Sequence, residues 1–178
     1  MFDLFYDNPV AGFAGLTAMA GLAVFPLCRS RSGLLSVQLC VGISFTIYYA
    51  MLDVPGAAAV NLLGVLQTAA ALASARGRIL NMIGYGLIVM MVGSGMYFWS
   101  GPASTVSVTA MTLIALGRMQ VNPLPMRLLI FAGGVTWIAH GLLLETWLAL
   151  TANLISVMIG AVAIRNIAHR QVLAPSAA

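Results

Sequence analysis

Apolar stretches of membrane-spanning length, separated by short charged connections, dominate this chain. Hydrophobic residues make up 61% of its 178 residues and charged residues only 7%, whereas about a quarter of a soluble domain is charged. A helix needs roughly 20 apolar residues to cross a bilayer. Such stretches lie at 9–28, 33–52, 56–75, 79–99, 102–118, 126–144 and 147–165. Because these runs do not alternate as barrel strands would, they predict seven transmembrane helices.

The sign of the charges changes from one connection to the next. All eight basic residues are arginines in alternate connections, and the acidic residues Asp3, Asp7, Asp53 and Glu145 lie before the first stretch and in the other connections. Since basic residues are retained on the cytoplasmic side, we expect the N-terminus outside and the C-terminus inside. The net charge of +4 follows from this bias, so we expect no nucleic-acid partner.

An internal repeat runs through the chain at an ungapped offset of 92 residues. Matched positions include Thr17-Ala18-Met19 with Thr109-Ala110-Met111, Gly42 with Gly134, Asn61-Leu62 with Asn153-Leu154, Val65 with Val157, and the acidic pair Asp53 and Glu145. The repeated unit is three helices, and one further helix between the copies makes them parallel. We therefore expect an all-α integral membrane protein of 3+1+3 architecture. Its parts are a triple-helix repeat at 9–75, a linker helix at 79–99, a second repeat at 102–165 and a cytoplasmic tail at 166–178.

The linker helix is rich in glycine. Gly84, Gly86, Gly93 and Gly95 allow another helix to approach closely. Such a face suits packing against a repeat or against a second copy of the chain, so a homo-oligomer through this helix is one expectation.

Paired polar and aromatic residues inside the spans form a candidate substrate site between the repeats. Polar groups within a membrane are costly unless they are satisfied, so each one needs a reason. Asn61 and Asn153 occupy equivalent positions of the two repeats. Residues one turn apart share a helix face, and one such pair in each repeat presents an aromatic or polar edge near the amide. The six candidate substrate-binding residues are Asn61, Asn153, Trp137, Phe45, His140 and Tyr48. The alternative is structural, with each Asn bonded to a neighbouring helix and the aromatic rings filling space.

The sequence lacks the residues that several kinds of chemistry require. No Asp, Glu, Lys or Arg lies deep in a predicted span, so the sequence offers no carboxylate relay for protons. Gln38 and Gln67 have Ile130 and Ile159 as counterparts in the second repeat and are interpreted as helix-packing residues. There is no metal-ligand spacing of Cys and His, no phosphate-binding glycine loop and no Ser/His/acid set. We expect neither an enzyme nor a metal or cofactor.

Two stretches of the chain resemble a known superfamily. The second repeat contains Trp137-x-x-His140-Gly141 followed by Asn153, which resembles the Trp-x-x-Tyr-Gly…Asn signature of the SWEET and PQ-loop superfamily. The first repeat contains Phe45-x-x-Tyr48-Tyr49 followed by Asn61, which looks like an earlier copy of the same signature. Within the superfamily, the stretch from Arg29 to Ala75 is most similar to the bacterial inner-membrane YgjV-like proteins.

This resemblance implies a location in the bacterial inner membrane and a pocket between the repeats. In sugar-carrying SWEETs the Trp and Asn pairs line the substrate pocket, which would implicate Trp137, Asn153, Asn61 and Phe45. His140 stands where the superfamily has Tyr, and its Pro-Gln signature is reduced to Pro26-Leu27.

Together these features predict a transporter that moves a small neutral solute by alternating access, without a coupling ion and in contact with membrane lipid. The alternative is a receptor, scaffold or regulatory subunit that uses the same fold without transport. A carrier should have a central cavity between the repeats, whereas a receptor or scaffold should place its ordered polar residues at a membrane face.

Overall fold

Seven helices joined by short connections make up the described protein. The computed structural model describes residues 8–53, 55–73, 77–99, 101–143, 145 and 147–173. The helices are α1 (Pro9–Val24, continued by a 3-10 turn at Phe25–Leu27), α2 (Arg31–Met51), α3 (Pro55–Ala73), α4 (Arg78–Tyr97), α5 (Pro102–Met119), α6 (Pro123–Leu143) and α7 (Trp147–Leu173). These ranges contain no strand, so the predicted all-helical class is confirmed. Asp3, Asp7, Arg76 and residues 174–178 of the predicted tail lie outside the described residues.

Proline and polar caps set the helix starts. The helices α1, α3, α5 and α6 each begin at a proline, whose missing N–H would have no partner in the first turn. Asn8 Oδ1 accepts a hydrogen bond from the Ala11 amide at 3.1 Å, and Ser30 Oγ accepts one from the Gly33 amide at 3.1 Å. The last helix continues beyond the predicted span end at 165, because polar residues end an apolar run without ending a helix.

Five helices are long and apolar enough to cross a membrane, judged by length and composition: Pro9–Leu27, Arg31–Met51, Arg78–Tyr97, Pro123–Leu143 and Leu150–Ile167. The apolar part of α3 is shorter, at Ala57–Ala73. The remaining helix, α5, is rich in hydroxyl side chains that bond to their own helix. Thr109 Oγ1 donates to the Thr105 carbonyl at 2.8 Å, and Thr112 Oγ1 donates to the Val108 carbonyl at 2.7 Å. These bonds satisfy the hydroxyls without water.

Six helices close a ring, and α4 packs outside it. Helix contacts run through α1, α2 and α3 and again through α5, α6 and α7, while contacts of α3 with α5 and of α7 with α1 complete the ring. The outer helix α4 packs on both α3 and α5. Its Ile79, Val89 and Met96 side chains are 75%, 72% and 68% exposed. An apolar surface of this kind suits lipid rather than water.

The 92-residue offset recurs in the geometry. A Cβ built on Gly42 would lie 2.9 Å from Val65 Cγ2, and a Cβ on Gly134 would lie 2.9 Å from Val157 Cγ2. The same close helix contact therefore joins α2 to α3 and α6 to α7. The acidic pair also matches, since Asp53 and Glu145 both have φ of 53°, a left-handed conformation that residues other than glycine rarely adopt.

The four glycines of α4 fall into two groups. A Cβ on Gly84 would lie 2.6 Å from Met119 Cε, and a Cβ on Gly95 would lie 2.3 Å from Val108 Cγ2. Both therefore allow α4 to approach α5. A Cβ on Gly86 or Gly93 would meet nothing within 4 Å among the described residues.

The two ends of the ring differ in charge and packing. We call the end where α1 and α5 finish and α2 and α6 begin the arginine end, since Arg29, Arg31, Arg118 and Arg127 belong to these helix termini and connections. The opposite end, with Asp53 and Glu145, is the acidic end. The main cluster of buried core residues lies at the arginine end and includes Leu34, Leu35, Ala71, Ala115 and Met126, each 2% exposed or less. The core thus closes the ring at the arginine end.

We predict that Gly42→Ala and Gly134→Ala each destabilise the protein, because the new methyl would overlap a valine whose rotamer is stiff in a helix. Overpacking of this kind costs about 1–3 kcal/mol, measured as a lower melting temperature in detergent. Gly93→Ala is the control and should leave the melting temperature unchanged or raise it slightly. Gly42→Ala combined with Val65→Ala should recover most of the loss. Equal effects of Gly42→Ala and Gly93→Ala would contradict the packing described above.

Candidate functional site

The helix ring encloses a cavity of about 1080 Å³. Side chains from all six ring helices line it, with α4 contributing at one edge. All six candidate residues line this one cavity: Phe45 and Tyr48 from α2, Asn61 from α3, Trp137 and His140 from α6, and Asn153 from α7. The structure therefore brings the sequence-predicted set together, with three members from each repeat.

Aromatic rings form one part of the wall. The Trp137 and His140 rings lie 4.9 Å apart between centroids, edge to face at 81°. The Phe45 ring lies 6.5 Å from that of Tyr48 in a similar edge-to-face arrangement, and it stacks on the Tyr49 ring at 6.0 Å. Such pairs fix ring orientation, so the two repeats present ordered aromatic surfaces to the cavity.

The two candidate amides are half-buried in the cavity wall. Asn61 Nδ2 donates to the Ala57 carbonyl of its own helix at 2.9 Å. This bond uses one N–H of an amide that has two N–H groups and a carbonyl oxygen, and it does not join α3 to another helix. Asn153 lines the wall contributed by α7.

One cation lies deeper than the sequence led us to expect. Arg118 is in the last turn of α5, and helical side chains tilt toward the helix N-terminus, so its side chain points back into the ring. Arg118 Nη1 donates to the Gly64 carbonyl at 3.4 Å, which is near the middle of α3. The expectation that no arginine reaches deep among the spans is therefore wrong for Arg118, which lines the cavity.

Two glutamines hold the Arg118 guanidinium. Arg118 Nε donates to Gln38 Oε1 at 3.0 Å, and Nη1 donates to Gln67 Oε1 at 3.3 Å. Gln67 Nε2 in turn donates to the Ala115 carbonyl at 3.0 Å. The interpretation of Gln38 and Gln67 as packing residues therefore missed their bonds to a cation. One signal was present in the sequence, because the repeat does not preserve these polar residues. The counterparts of Arg118, Gln38 and Gln67 are Pro26, Ile130 and Ile159.

Two further arginines, Arg31 and Arg127, bind helix ends. Arg31 Nε donates to the Gln120 carbonyl at 3.1 Å, and Nη2 donates to the Arg118 carbonyl at 3.1 Å and to the Ala71 carbonyl at 2.9 Å. The final carbonyls of a helix have no partner within the helix, and a cation there also interacts favourably with the helix dipole. The Arg31 side chain thus ties the start of α2 to the ends of α3 and α5.

Arg127 makes the corresponding bonds at the end of α1. Its side chain is buried, and Nη1 donates to the Pro26 carbonyl at 3.0 Å while Nη2 donates to the Cys28 carbonyl. The carbonyls of Pro26 and Cys28 lie 92 residues before those of Arg118 and Gln120. Each repeat therefore supplies an arginine that binds equivalent carbonyls of the other repeat, although the two arginines themselves are 96 residues apart, one helical turn out of step.

The chain matches a known protein family. The family of bacterial inner membrane proteins called Imp-YgjV matches residues 11–171. No curated protein and no solved structure matches the chain.

We predict that Arg127→Ala destabilises the protein by about 2–4 kcal/mol, since hydrogen bonds to a charged group contribute roughly 1.5–3 kcal/mol each. Arg127→Lys should cost less, because an ammonium retains the charge but not the fork that reaches both carbonyls. Arg165→Ala, at an exposed arginine of α7, is the control. Melting temperatures in detergent check the order, and a loss for Arg165→Ala as large as for Arg127→Ala would contradict it.

Proposed function

The chain belongs to the Imp-YgjV family of bacterial inner membrane proteins, and from that premise we propose that it is a carrier for a small solute. The observation that supports the proposal is the cavity inside the helix ring. It collects the aromatic and amide residues of both repeats, and carriers built from repeats bind their substrate at the repeat interface. The proposal is for a carrier that performs no chemical reaction.

The proposed architecture is two parallel three-helix repeats joined by α4, related to the SWEET and PQ-loop superfamily. Three observations support it: the matched glycine and valine contacts, the left-handed acidic pair, and the arginine bonds to carbonyls 92 residues apart. The proposed orientation places the arginine end in the cytoplasm and the N-terminus outside, as the arginine bias favours.

Alternating access requires that the arginine end open in some states. The described state is closed there by the packed core and by bonds from Arg31 and Arg127 that cross between repeats. Opening would separate α3 from α5 and α7 from α1, and these bonds would break and re-form in each cycle. The described residues that line the cavity include no Asp or Glu, which favours a carrier without a carboxylate proton relay.

The residues inside the ring bear on the charge of the solute. The sequence led us to expect a neutral solute because no charge was expected within the ring, and the aromatic and amide residues suit a neutral organic body. Arg118 in the cavity wall removes the first of these reasons.

The second candidate function is a receptor, scaffold or regulatory subunit. The outward-facing Gly86 and Gly93 of α4 would then pack against a second copy or another membrane protein, as small residues commonly do. The six candidate residues favour the carrier, because they line the cavity inside the ring.

We predict that the purified protein in liposomes transports at least one member of a panel of small organic solutes. Asn61→Ala combined with Asn153→Ala should reduce that flux by about tenfold or more, the loss expected when hydrogen bonds to a substrate are removed. Asn81→Ala on α4 is the control and should leave the flux unchanged. The melting temperature of each variant shows whether the fold survives. No flux across sugars, amino acids, nucleosides and organic acids would favour the receptor or scaffold.

A further inference from the structure

The charges that line the cavity are all positive. Arg118 and Arg127 are its only charged lining residues within the described part of the chain, and Asp53 and Glu145 lie at the opposite end of the ring. A charged side chain among transmembrane helices is costly and commonly marks a binding site or a pathway. The cavity therefore provides an uncompensated positive charge in a region of low dielectric.

The two cations differ in how well the protein compensates them. The Nη1 and Nη2 atoms of Arg127 both donate to carbonyls at the end of α1, where the helix dipole is equivalent to about half a negative charge. Arg118 has the side-chain amides of Gln38 and Gln67 and the Gly64 carbonyl as acceptors. These groups are neutral. Arg127 is thus partly compensated, whereas Arg118 has no counter-charge among the described residues that line the cavity.

The Arg118 guanidinium has N–H groups that donate to none of the described residues. Its Nε and Nη1 atoms are engaged, whereas Nη2, with two N–H groups, donates to no acceptor among the residues that the structure describes. No side-chain nitrogen or oxygen that is buried in this part of the chain lacks a hydrogen-bond partner, so Nη2 must be accessible, and Arg118 lines the cavity. By contrast, Arg31 donates to backbone carbonyls through Nε and Nη2. Arg127 donates to backbone carbonyls through Nη1 and Nη2.

A second polar side chain of the cavity belongs to the helix that supplies one of the Arg118 acceptors. Asn61 is three residues before Gly64 on α3, which is about 4.5 Å along the helix axis, and the Gly64 carbonyl accepts from Arg118. Asn61 lines the same cavity, and its Nδ2 donates to the Ala57 carbonyl toward the start of α3.

We propose that the cavity binds a small organic monocarboxylate, with the carboxylate on Arg118 Nη2 and the organic body against the aromatic wall. Guanidinium groups bind carboxylates with strong charge-assisted hydrogen bonds. The single uncompensated charge matches a monoanion better than a dianionic phosphate. This inference rests on the proposed function, since it names the substrate class of the same cavity.

Matched acid and amide pairs test the proposal: benzoate with benzamide, and lactate with lactamide, at pH 7, where both acids are ionised. A ligand that binds the folded state raises its melting temperature. We expect the carboxylates to stabilise the wild type and the amides to have no effect. Arg118→Gln should abolish the shift, Arg118→Lys should retain part of it, and the exposed control Arg165→Gln should retain all of it.

Several results would overturn the proposal. One is equal shifts with acids and amides, another is no shift with any carboxylate, and a third is a shift that persists in Arg118→Gln. Because the comparison of acids with amides uses the wild type, the proposal stays testable if Arg118→Gln fails to fold. A shift with phosphatidylglycerol but with no carboxylate would assign the anion site to lipid and also overturn it.

Flux measurements separate this inference from the proposed carrier function. We expect uptake of a carboxylate into liposomes, reduced by about tenfold or more in Arg118→Gln, as the loss of a charged hydrogen bond implies. Uptake of amides that is insensitive to Arg118→Gln would retain the carrier and reject the carboxylate site. Carboxylate binding that depends on Arg118 without any uptake would retain the site and reject the carrier.

Discussion

Two arginines that cross between the repeats hold the arginine end of the helix ring together. Arg31 binds the final carbonyls of α5, and Arg127 binds the equivalent carbonyls at the end of α1. Helix ends within an apolar environment leave carbonyls that need donors, and a guanidinium can serve several carbonyls at once. The contact of α3 with α5 and that of α7 with α1 both lie beside these bonds. These bonds therefore link the two repeats at the closed end of the ring.

The symmetry between the two repeats does not extend to all of the cavity wall. Both repeats contribute an amide and a pair of rings, but only one side carries the cluster of Arg118, Gln38 and Gln67, whose counterparts are apolar or proline. A symmetric arrangement of repeats can rock about its axis, whereas this cluster places a charge at one position of the cavity wall that the repeat does not duplicate. A solute with a charged group and an apolar body would bind such a cavity in one orientation.

Much of the fold could be predicted from the sequence, for physical reasons. Apolar runs of bilayer length can form little except helices, so seven helices and most of their limits follow from hydropathy. The offset of 92 residues matches Gly42 with Gly134 and Val65 with Val157 in the sequence, and the two glycine–valine contacts are equivalent in the structure. The six candidate residues line one cavity. Their role in binding stays a prediction.

What the sequence did not reveal depends on side-chain direction and on neighbours in space. Arg118 was assigned to a cytoplasmic connection because it ends an apolar run, yet its position at a helix C-terminus directs its side chain inward. The arginine bonds between repeats could not be predicted from the offset, because Arg31 and Arg127 do not match in sequence. They converge on matched carbonyls from positions one turn apart.

A distance measurement across the arginine end tests directly whether it opens and closes between the repeats. Spin labels on cysteines at positions 29 and 121, in a variant with alanine at Cys28 and Cys40, would report the distance across that end. Both positions are exposed and are related by the 92-residue offset. We expect two distance populations in lipid nanodiscs, with the longer one enriched when Arg31 and Arg127 are replaced by glutamine. A single distance that these replacements leave unchanged would contradict this expectation.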